Sequence, residues 1–220
     1  MGHGDSWDRP VPLAAPVVAE IETDAPVAYY DGIRAIVEIA GQFNRVAWNG
    51  PTTCPEWRAA DLAGHLRCVA DDYHEYLDDA PVSRLSRLMA TGAHPQSIAR
   101  KLARQNAAEL AALPEVPPEE HIAAFATSAT RYAARIGPLL RLPHHSYRSR
   151  VITVAGMAGA ACVEWHVHAW DLARALGIKY RPADPEAILA AWLAGVPQLP
   201  PYPDKDPWLA VLRSSGRLPD

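Results

Sequence analysis

The densest group of residues capable of chemistry lies in residues 164–171, which read EWHVHAWD. Glu164 and His168 are four residues apart, so they share one face if the segment is helical. A carboxylate and an imidazole placed in this way can both bind one divalent ion. Asp171 returns near the same face and could accept a hydrogen bond from a ligating histidine. The segment therefore predicts two metal ligands and one residue that orients them.

An isolated E-x-x-x-H pattern is weak evidence, because such pairs are common on the surfaces of long helices. The neighbouring sequence favours a buried helix instead, since the preceding turns are small and apolar and Trp165 and Trp170 flank the pair. A buried glutamate needs a cation or a proton, because burying an unpaired carboxylate costs several kcal/mol. We therefore prefer the interpretation of a metal site to that of a surface pair.

His65 is the best candidate for a third ligand supplied by another helix. It lies among the apolar residues of a second predicted helix, beside the small residue Gly64. A histidine in such a place is more often a satisfied core residue, so this assignment depends on the Glu164–His168 pair. Three protein ligands would leave one coordination position open, which is typical of catalytic and not of structural zinc sites.

Residues 144–150 predict a polar loop immediately before the longest helix. We expect His144 and His145 to lie at the rim of a pocket at most. Arg148 and Arg150 could hold a carboxylate through paired hydrogen bonds, which makes them candidate cofactor-binding residues. The alternative for both arginines is an ordinary position on the surface.

Helical periodicity predicts the elements that must position these residues. Apolar residues recur at helical spacing over residues 26–48, 59–79, 96–113, 119–136, 152–176 and 185–194. No convincing pair of strands is present. The pattern predicts an all-α protein, an antiparallel helix bundle. Residues 1–25 show no periodicity and predict a flexible arm, followed by one helical domain over residues 26–220.

Charge and cysteine content limit the cellular setting and the partners. The net charge of -4 offers no basic field for nucleic acid or for an anionic membrane. The three cysteines Cys54, Cys68 and Cys162 have no CxxC spacing, which argues against a disulfide framework and favours a reducing cytoplasm. We assign none of them to catalysis, because free cysteine is usually a buried apolar residue. A small-molecule substrate and a monomer or homodimer are expected.

Two motifs carry a resemblance to a known family. Residues 54–66 read CPxWxxxDLxxHL, and residues 164–177 read ExxxHxWDLAxAxG, where x marks residues that the motif leaves open. The chain resembles the DinB-like superfamily, and more closely the branch that contains mycothiol-dependent maleylpyruvate isomerase. The ending LRSSGR at residues 212–217 also resembles that of small single-domain members. The resemblance covers about residues 26–218.

The resemblance implies an up-down-down-up four-helix bundle with a divalent ion at one end. Carried over by position, the metal ligands are His65, Glu164 and His168, and the ion is usually zinc, with Ni²⁺ or Fe²⁺ as alternatives. Mycothiol is the implied thiol cofactor. The maleylpyruvate isomerases have a further C-terminal α/β domain, and too few residues follow Gly177 for one here. We therefore do not expect isomerisation of maleylpyruvate itself.

The leading functional hypothesis is an enzyme that uses a low-molecular-weight thiol at the open metal position. Metal coordination would deprotonate the thiol, and the thiolate would add to a small electrophile, giving thiol transfer or isomerisation. A hydrolase that activates water at the metal is the second hypothesis. A metal-dependent binding protein without turnover is the third, and a helical domain with a vestigial site is the simplest alternative.

Overall fold

The protein is described by a computed structural model over residues 15–55, 57–80 and 82–219. Within these residues, eight α-helices and one β-hairpin follow one another along the chain. Their bounds are α1 (Ala15–Ala40), α2 (Ala59–Asp78), α3 (Arg84–Ala90), α4 (Pro95–Ala112), α5 (Pro118–Ile136), β1 (Pro143–Tyr147), β2 (Arg150–Thr153), α6 (Val154–Ala175), α7 (Pro185–Gly195) and α8 (Pro207–Ser214).

Four long helices form the bundle, with α1 packed along α6 and α2 packed along α5. The centre of the core is Trp165, which is fully buried. Its ring makes edge contacts with Tyr29, Tyr73 and Phe125, with centroids 6.0, 5.9 and 4.9 Å away. These four aromatic residues come from α6, α1, α2 and α5, so each bundle helix contributes one ring. The architecture confirms the predicted all-α, DinB-like class.

Local capping fixes the ends of α6, the helix that carries two of the candidate ligands. The side chain of Thr153 accepts a hydrogen bond from the Gly156 N–H and starts the helix. Gly177, with φ +70°, ends it in the left-handed conformation that glycine adopts readily. The predicted span of 152–176 therefore agrees closely with the observed helix.

The first helix differs from its prediction at both ends. It begins at Ala15, so residues 15–25 of the predicted arm are helical, and residues 1–14 lie outside the described residues. It ends at Ala40 and not at residue 48, which lies in a separate short 3₁₀ turn (Ala47–Asn49). The side chain of Asn44 accepts hydrogen bonds from the N–H groups of Val46 and Ala47, which gives this segment an alternative to continuing the helix.

The prediction of a polar loop at residues 144–150 is wrong, because β1 and β2 form an antiparallel hairpin there. His145 pairs with Ile152, and Arg148 occupies the turn with φ 53°. The strands are too short for a recognisable alternating pattern. The hairpin packs against α3, and the hydroxyl of Tyr147 donates a hydrogen bond to the carbonyl of Ala93.

Helix α8 was also not predicted, since its segment is rich in proline. Asp206 caps it by accepting hydrogen bonds from the N–H groups of Trp208 and Leu209, and Pro207 occupies the first turn. This helix directs the end of the chain back toward α6. No helix in the described part of the chain is long and apolar enough to cross a membrane.

Candidate metal centre

The structure brings together the three side chains that the sequence selected as metal ligands. His65 comes from α2, and Glu164 and His168 come from successive turns of α6. One ligand atom from each lies within 4.8 Å of the other two. Nε2 of His168 is 3.2 Å from Oε2 of Glu164, and the imidazole rings of His65 and His168 have centroids 5.1 Å apart. Two helices that are far apart in sequence therefore present a compact nitrogen and oxygen donor set.

His65 is held in an apolar setting. Its ring packs against Trp57, with centroids 4.4 Å apart, and its side chain is buried. Burial, and then the nearby positive charge of His168, lower the pKa of His65 to about 3, so the imidazole is neutral at physiological pH. Its Nδ1 is buried without a hydrogen-bond partner among the described residues. A neutral histidine with an unsatisfied nitrogen is suited to binding a metal.

Glu164 is less buried than its position in an apolar helix suggests. Its side chain is 44% exposed, because it faces a large cavity and not the closed core. Burial opposes its charge, but the hydrogen bond with His168 and the positive charges nearby together outweigh that effect and lower the pKa of Glu164. The carboxylate is therefore ionised and accessible from the cavity, and the premise that Glu164 is buried without contact with solvent is wrong.

Asp171 orients His168 as the spacing suggested. Its Oδ2 is 2.8 Å from Nδ1 of His168, and its side chain is fully buried. Burial opposes the charge of His168, but its hydrogen bonds, of which that to Asp171 is the strongest, together outweigh burial and raise the pKa of His168 well above its usual value. With Nδ1 directed to Asp171, Nε2 is the nitrogen left to face Glu164 and His65.

Arg217 is the residue of this cluster that sequence reasoning did not assign. Its guanidinium donates to both oxygens of Asp171, at 3.2 Å from Nε and 2.9 Å from Nη2. Thr53 also donates to Asp171, and Cys54 lies 3.5 Å from the same carboxylate. Burial opposes the charge of Asp171, but His168 and Arg217 outweigh it and lower the pKa of Asp171 below its usual range. The only feature of the sequence that pointed to Arg217 was the Gly-Arg ending, which resembles that of small members of the family.

A second group of possible ligands overlaps the first. Cys54, His168 and Asp171 also place one ligand atom each within 4.8 Å. In this group Asp171 already accepts hydrogen bonds from Arg217 and Thr53, so an ion would have to displace a buried charge pair. In the group of His65, Glu164 and His168, an ion would replace only the proton between His168 and Glu164, and the group faces the cavity.

The donor set of the first group fits a divalent ion. Two imidazole nitrogens and one carboxylate oxygen are common zinc ligands, and three protein ligands leave a position for another molecule. The unsatisfied Nδ1 of His65 and the hydrogen bond that Nδ1–H of His168 donates to Asp171 are features that metal sites share. The ionised Glu164 adds the negative charge that such an ion requires.

The candidate centre lies on the wall of a cavity of about 750 Å³ between α2, α6 and the α3–α4 segment. Most of its lining is apolar or aromatic, as is usual for sites that bind small molecules. The polar residues of the lining include Asp72, Tyr76, His145, Glu164 and Arg217. Ligands can therefore approach the candidate centre from the cavity side.

Arg148 and Arg150, the predicted cofactor-binding residues, do not line this cavity. The guanidinium of Arg148 lies over the ring of Tyr147, and that of Arg150 donates a hydrogen bond to the carbonyl of Leu193. The structure therefore does not bring either arginine to the candidate centre. Both contacts follow from the hairpin, which was expected to be a loop.

The two histidines of the hairpin are buried, and they are not at a rim. His144 and His145 are 1% and 5% exposed, and their Nδ1 atoms are 3.0 Å apart. His145 lines the cavity, whereas His144 does not. Regular alternation would place these neighbouring rings on opposite faces of β1. A register irregularity between Pro143 and His145 interrupts the alternation, so both rings are buried.

Comparison with known families agrees with this arrangement. The fold and the donor set define a helical bundle of the DinB-like class with a candidate metal centre. A family model described as the mycothiol maleylpyruvate isomerase N-terminal domain matches residues 31–173, which is more than half of the chain. The chain therefore belongs to this family. It shows no significant similarity to any curated protein or to any solved structure.

Proposed function

We propose that the protein is a metal-dependent enzyme that uses a low-molecular-weight thiol of the mycothiol type. The thiol would attack a small electrophilic substrate, in a transfer or an isomerisation reaction. The observation that carries this proposal is the convergence of His65, Glu164 and His168 on one wall of a large cavity. Membership of the family supports the choice of thiol. Zinc is the ion that the donor set favours.

The protein's own cysteines do not offer a ready nucleophile, which supports the use of an external thiol. Burial raises the pKa of Cys68 to about 11, and burial also raises that of Cys162. Cys54 lines the cavity, but its sulfur contacts the Asp171–Arg217 pair. We therefore place the reacting thiol on a molecule that enters the cavity.

A divalent ion at this centre would lower the pKa of a bound thiol, so that its sulfur reacts as a thiolate. Asp171 holds the proton on Nδ1 of His168, and an ion at the centre would take the place of the second proton, which the raised pKa leaves on Nε2. In transfer, the sulfur bonds to an electrophilic carbon and a leaving group departs with the electron pair. In isomerisation, the thiolate would add to a conjugated double bond, the resulting single bond would rotate, and elimination would regenerate the thiolate. The apolar lining limits competing hydrolysis of the electrophile.

The test is calorimetry of mycothiol binding to the metal-loaded protein in two buffers that differ in ionisation enthalpy. Binding should release a proton, because a free thiol with a pKa of about 8.5 is mostly protonated at neutral pH. The apparent affinity should rise with pH until the free thiol ionises. His168→Ala should remove most of the binding, whereas Cys68→Ser should retain it.

Three results would contradict the proposal. Thiol binding that survives both metal removal and His168→Ala would place the thiol elsewhere. Metal-dependent turnover of an ester or amide with no thiol present would favour the hydrolase hypothesis instead. Ligand binding without conversion of any electrophile would favour a binding protein.

A further inference from the structure

The cavity is lined by a second polar group, His145, which is not part of the candidate metal centre. His145 lines the cavity and is 5% exposed, and its Nε2 has no hydrogen-bond partner among the described residues. A buried polar atom without a partner costs free energy, so its presence in a ligand-sized cavity requires a reason. The other ring nitrogen, Nδ1, is engaged with His144 at 3.0 Å. Nε2 is therefore the atom that a ligand in the cavity would meet.

The ring pair leaves Nε2 of His145 available to a ligand in either tautomer. Burial lowers the pKa of His144 and His145 to about 4, so both rings are neutral at physiological pH. In the Nδ1–Nδ1 contact, one neutral ring must donate and the other accept. The backbone carbonyl of Tyr76 lies beside His144, toward the end of α2. Nε2 of His145 accepts when its Nδ1 donates and donates when its Nδ1 accepts, and a hydroxyl can pair with it in either state.

The candidate metal centre and His145 lie far apart along the helices that line the cavity. Along α2, eleven residues separate His65 from Tyr76, about 16 Å at 1.5 Å per residue. Along α6, ten residues separate Glu164 from Val154, about 15 Å, and β2 leads into α6 at Val154. Both helices therefore give the same separation. A ligand that reaches both the candidate metal centre and His145 must be extended.

The charges around the cavity select against an anionic ligand. Arg217 is the only arginine or lysine among the described residues that line it, and Arg217 is paired with Asp171. Asp72 lines the cavity one helical turn before Tyr76, near the His145 end. Arg84 contacts Asp72, but it also contacts Glu109, so the cluster has an excess of negative charge. A carboxylate at this end would find no free cation in the described lining and one nearby anion.

We propose that His145 recognises the far end of an extended, uncharged ligand through a hydroxyl that hydrogen-bonds with Nε2. The rest of such a ligand lies along the apolar lining, and its reactive end lies at the candidate metal centre. This assignment rests on the proposed function, because it takes the ligand to be anchored at that centre. It gives the ligand a length of about 15 Å and excludes carboxylates at its distal end.

Alkanethiols with different terminal groups test this assignment directly. The probes are ω-mercaptoalkanols with lengths up to about 15 Å, together with alkanethiols and ω-mercaptoalkanoic acids of matched lengths. Binding is followed on cobalt-substituted protein by the thiolate-to-cobalt charge-transfer absorption, at about pH 8, where Asp72 with a pKa of about 6 is ionised. The absorption reports the sulfur at the metal, independently of what the terminal group contacts.

We expect the hydroxyl series to lose affinity by about tenfold in His145→Phe, but only at lengths that reach the far end. Alkanethiols should bind His145→Phe as well as wild type, and the acids should bind wild type at least about tenfold more weakly than the alcohols. His145→Gln supplies another acceptor and should restore part of the hydroxyl affinity. His121→Phe is the matched control, because His121 is buried on α5 but does not line the cavity.

The outcomes separate this assignment from the proposed function. If the thiols produce the cobalt absorption but His145→Phe affects alcohols and alkanethiols equally, the role of His145 is refuted and the thiol site remains. If the acids bind as tightly as the alcohols, the exclusion of carboxylates is refuted. If no thiol produces the absorption in folded, cobalt-loaded protein, the proposed function fails and the assignment of His145 fails with it. Unchanged melting temperatures of the variants establish that they are folded.

Discussion

Asp171 is the side chain on which the geometry of the candidate centre depends. It is fully buried and accepts hydrogen bonds from His168, Arg217 and Thr53. A buried carboxylate is tolerable only when its partners satisfy it, and here the partners come from three separate parts of the chain. The same contacts that stabilise the charge also fix the imidazole of His168. Stability and ligand orientation are therefore coupled at this residue.

Asp171→Asn should weaken both properties. The amide can still accept from His168, but the positive charge of Arg217 loses its buried partner. We expect metal affinity to fall by about 10- to 100-fold and the free energy of unfolding to fall by about 3 kcal/mol. Metal titration and denaturant unfolding measure the two effects.

Asp61→Asn is the matched control, because Asp61 pairs with Arg58 on the surface of α2. The free energy of unfolding of the Asp61→Asn variant should differ from that of the wild type by less than about 1 kcal/mol, and its metal affinity should be unchanged. Equal losses in the two variants would show that the Asp171 cluster does not behave as a buried charge network.

Close backbone contact between α6 and α7 is the main feature at the scale of elements. A Cβ atom on Gly195 would lie 2.3 Å from the carbonyl oxygen of Gly156 and 2.4 Å from the nitrogen of Ala160. These are backbone atoms of a buried helix, so they cannot move away as a side chain could. The absence of a side chain at Gly195 lets α7 approach the helix that carries Glu164 and His168.

Gly195→Ala should therefore destabilise the protein by about 3 kcal/mol, the upper part of the range for overpacked cores. Gly137→Ala is the control, because a Cβ at Gly137 meets nothing within 4 Å and the backbone there is right-handed helical. That change should be neutral or stabilising by up to about 1 kcal/mol. Thermal unfolding of both variants measures this, and a neutral Gly195→Ala would contradict the close packing.

A second contact between elements joins α3 and α4 to the bundle. Arg84 of α3 contacts Asp72 of α2 and Glu109 of α4, and Tyr76 donates to Asp72. Burial, and then the charge of Glu109, raise the pKa of Asp72 to about 6, although Arg84 opposes them. Nε of Arg84 also lies 3.4 Å from Oε1 of Glu75, so one arginine serves three carboxylates beside the cavity.

The raised pKa predicts a pH dependence of stability with a definite sign. Because the folded protein holds the Asp72 proton more tightly, its stabilising contribution is complete below the unfolded pKa of about 3.9 and is lost as pH rises through about 6. Relative to Asp72→Asn, the wild type should therefore lose about 2 kcal/mol of unfolding free energy from pH about 4 to about 7. Denaturant unfolding at both pH values measures this.

Asp78→Asn is the control on the same helix. Asp78 is exposed and paired with Arg135, which lowers its pKa, so its small contribution is lost as pH falls. Its pH dependence should have the opposite sign to that of Asp72. Equal slopes for Asp72→Asn and wild type would contradict the raised pKa.

At the scale of the whole molecule, the candidate centre connects α2 with α6, the helix most central to the bundle. An ion that binds the folded protein stabilises it by about 2.7 kcal/mol when its concentration is about 100 times the dissociation constant. For a domain of this size, that corresponds to a rise in melting temperature of about 5 to 10 °C. Metal content therefore bears on the stability of the entire fold.

Chelation should lower the melting temperature of the protein by this amount, and Zn²⁺ should restore it. His65→Ala should abolish the response to Zn²⁺, because it removes the only ligand from α2. His121→Ala should retain the full response, since His121 contacts Arg67 away from the cavity. Scanning calorimetry with and without Zn²⁺ measures this, and a full response in His65→Ala would place the ion elsewhere.

The sequence by itself determined the class of fold and the donor set. Helical periodicity identified the helices of the bundle, and Gly177 marked the end of α6. The spacing of Glu164 and His168 placed them on one helix face, because that relation depends only on local geometry. His65 followed from the motif shared with the family and from its place in an apolar helix, and the structure brings it to the other two.

Tertiary structure alone decided which other residues surround them. Arg217 follows α8, and it reaches Asp171 only because that short helix folds back onto α6. His145 lines the cavity because a hairpin too short to show an alternating pattern turns it inward. Glu164 is half exposed because α3 and α4 leave a cavity beside α6. Periodicity reports which face of one element is apolar, whereas contacts across long sequence separations depend on how the elements pack, and no local pattern encodes that.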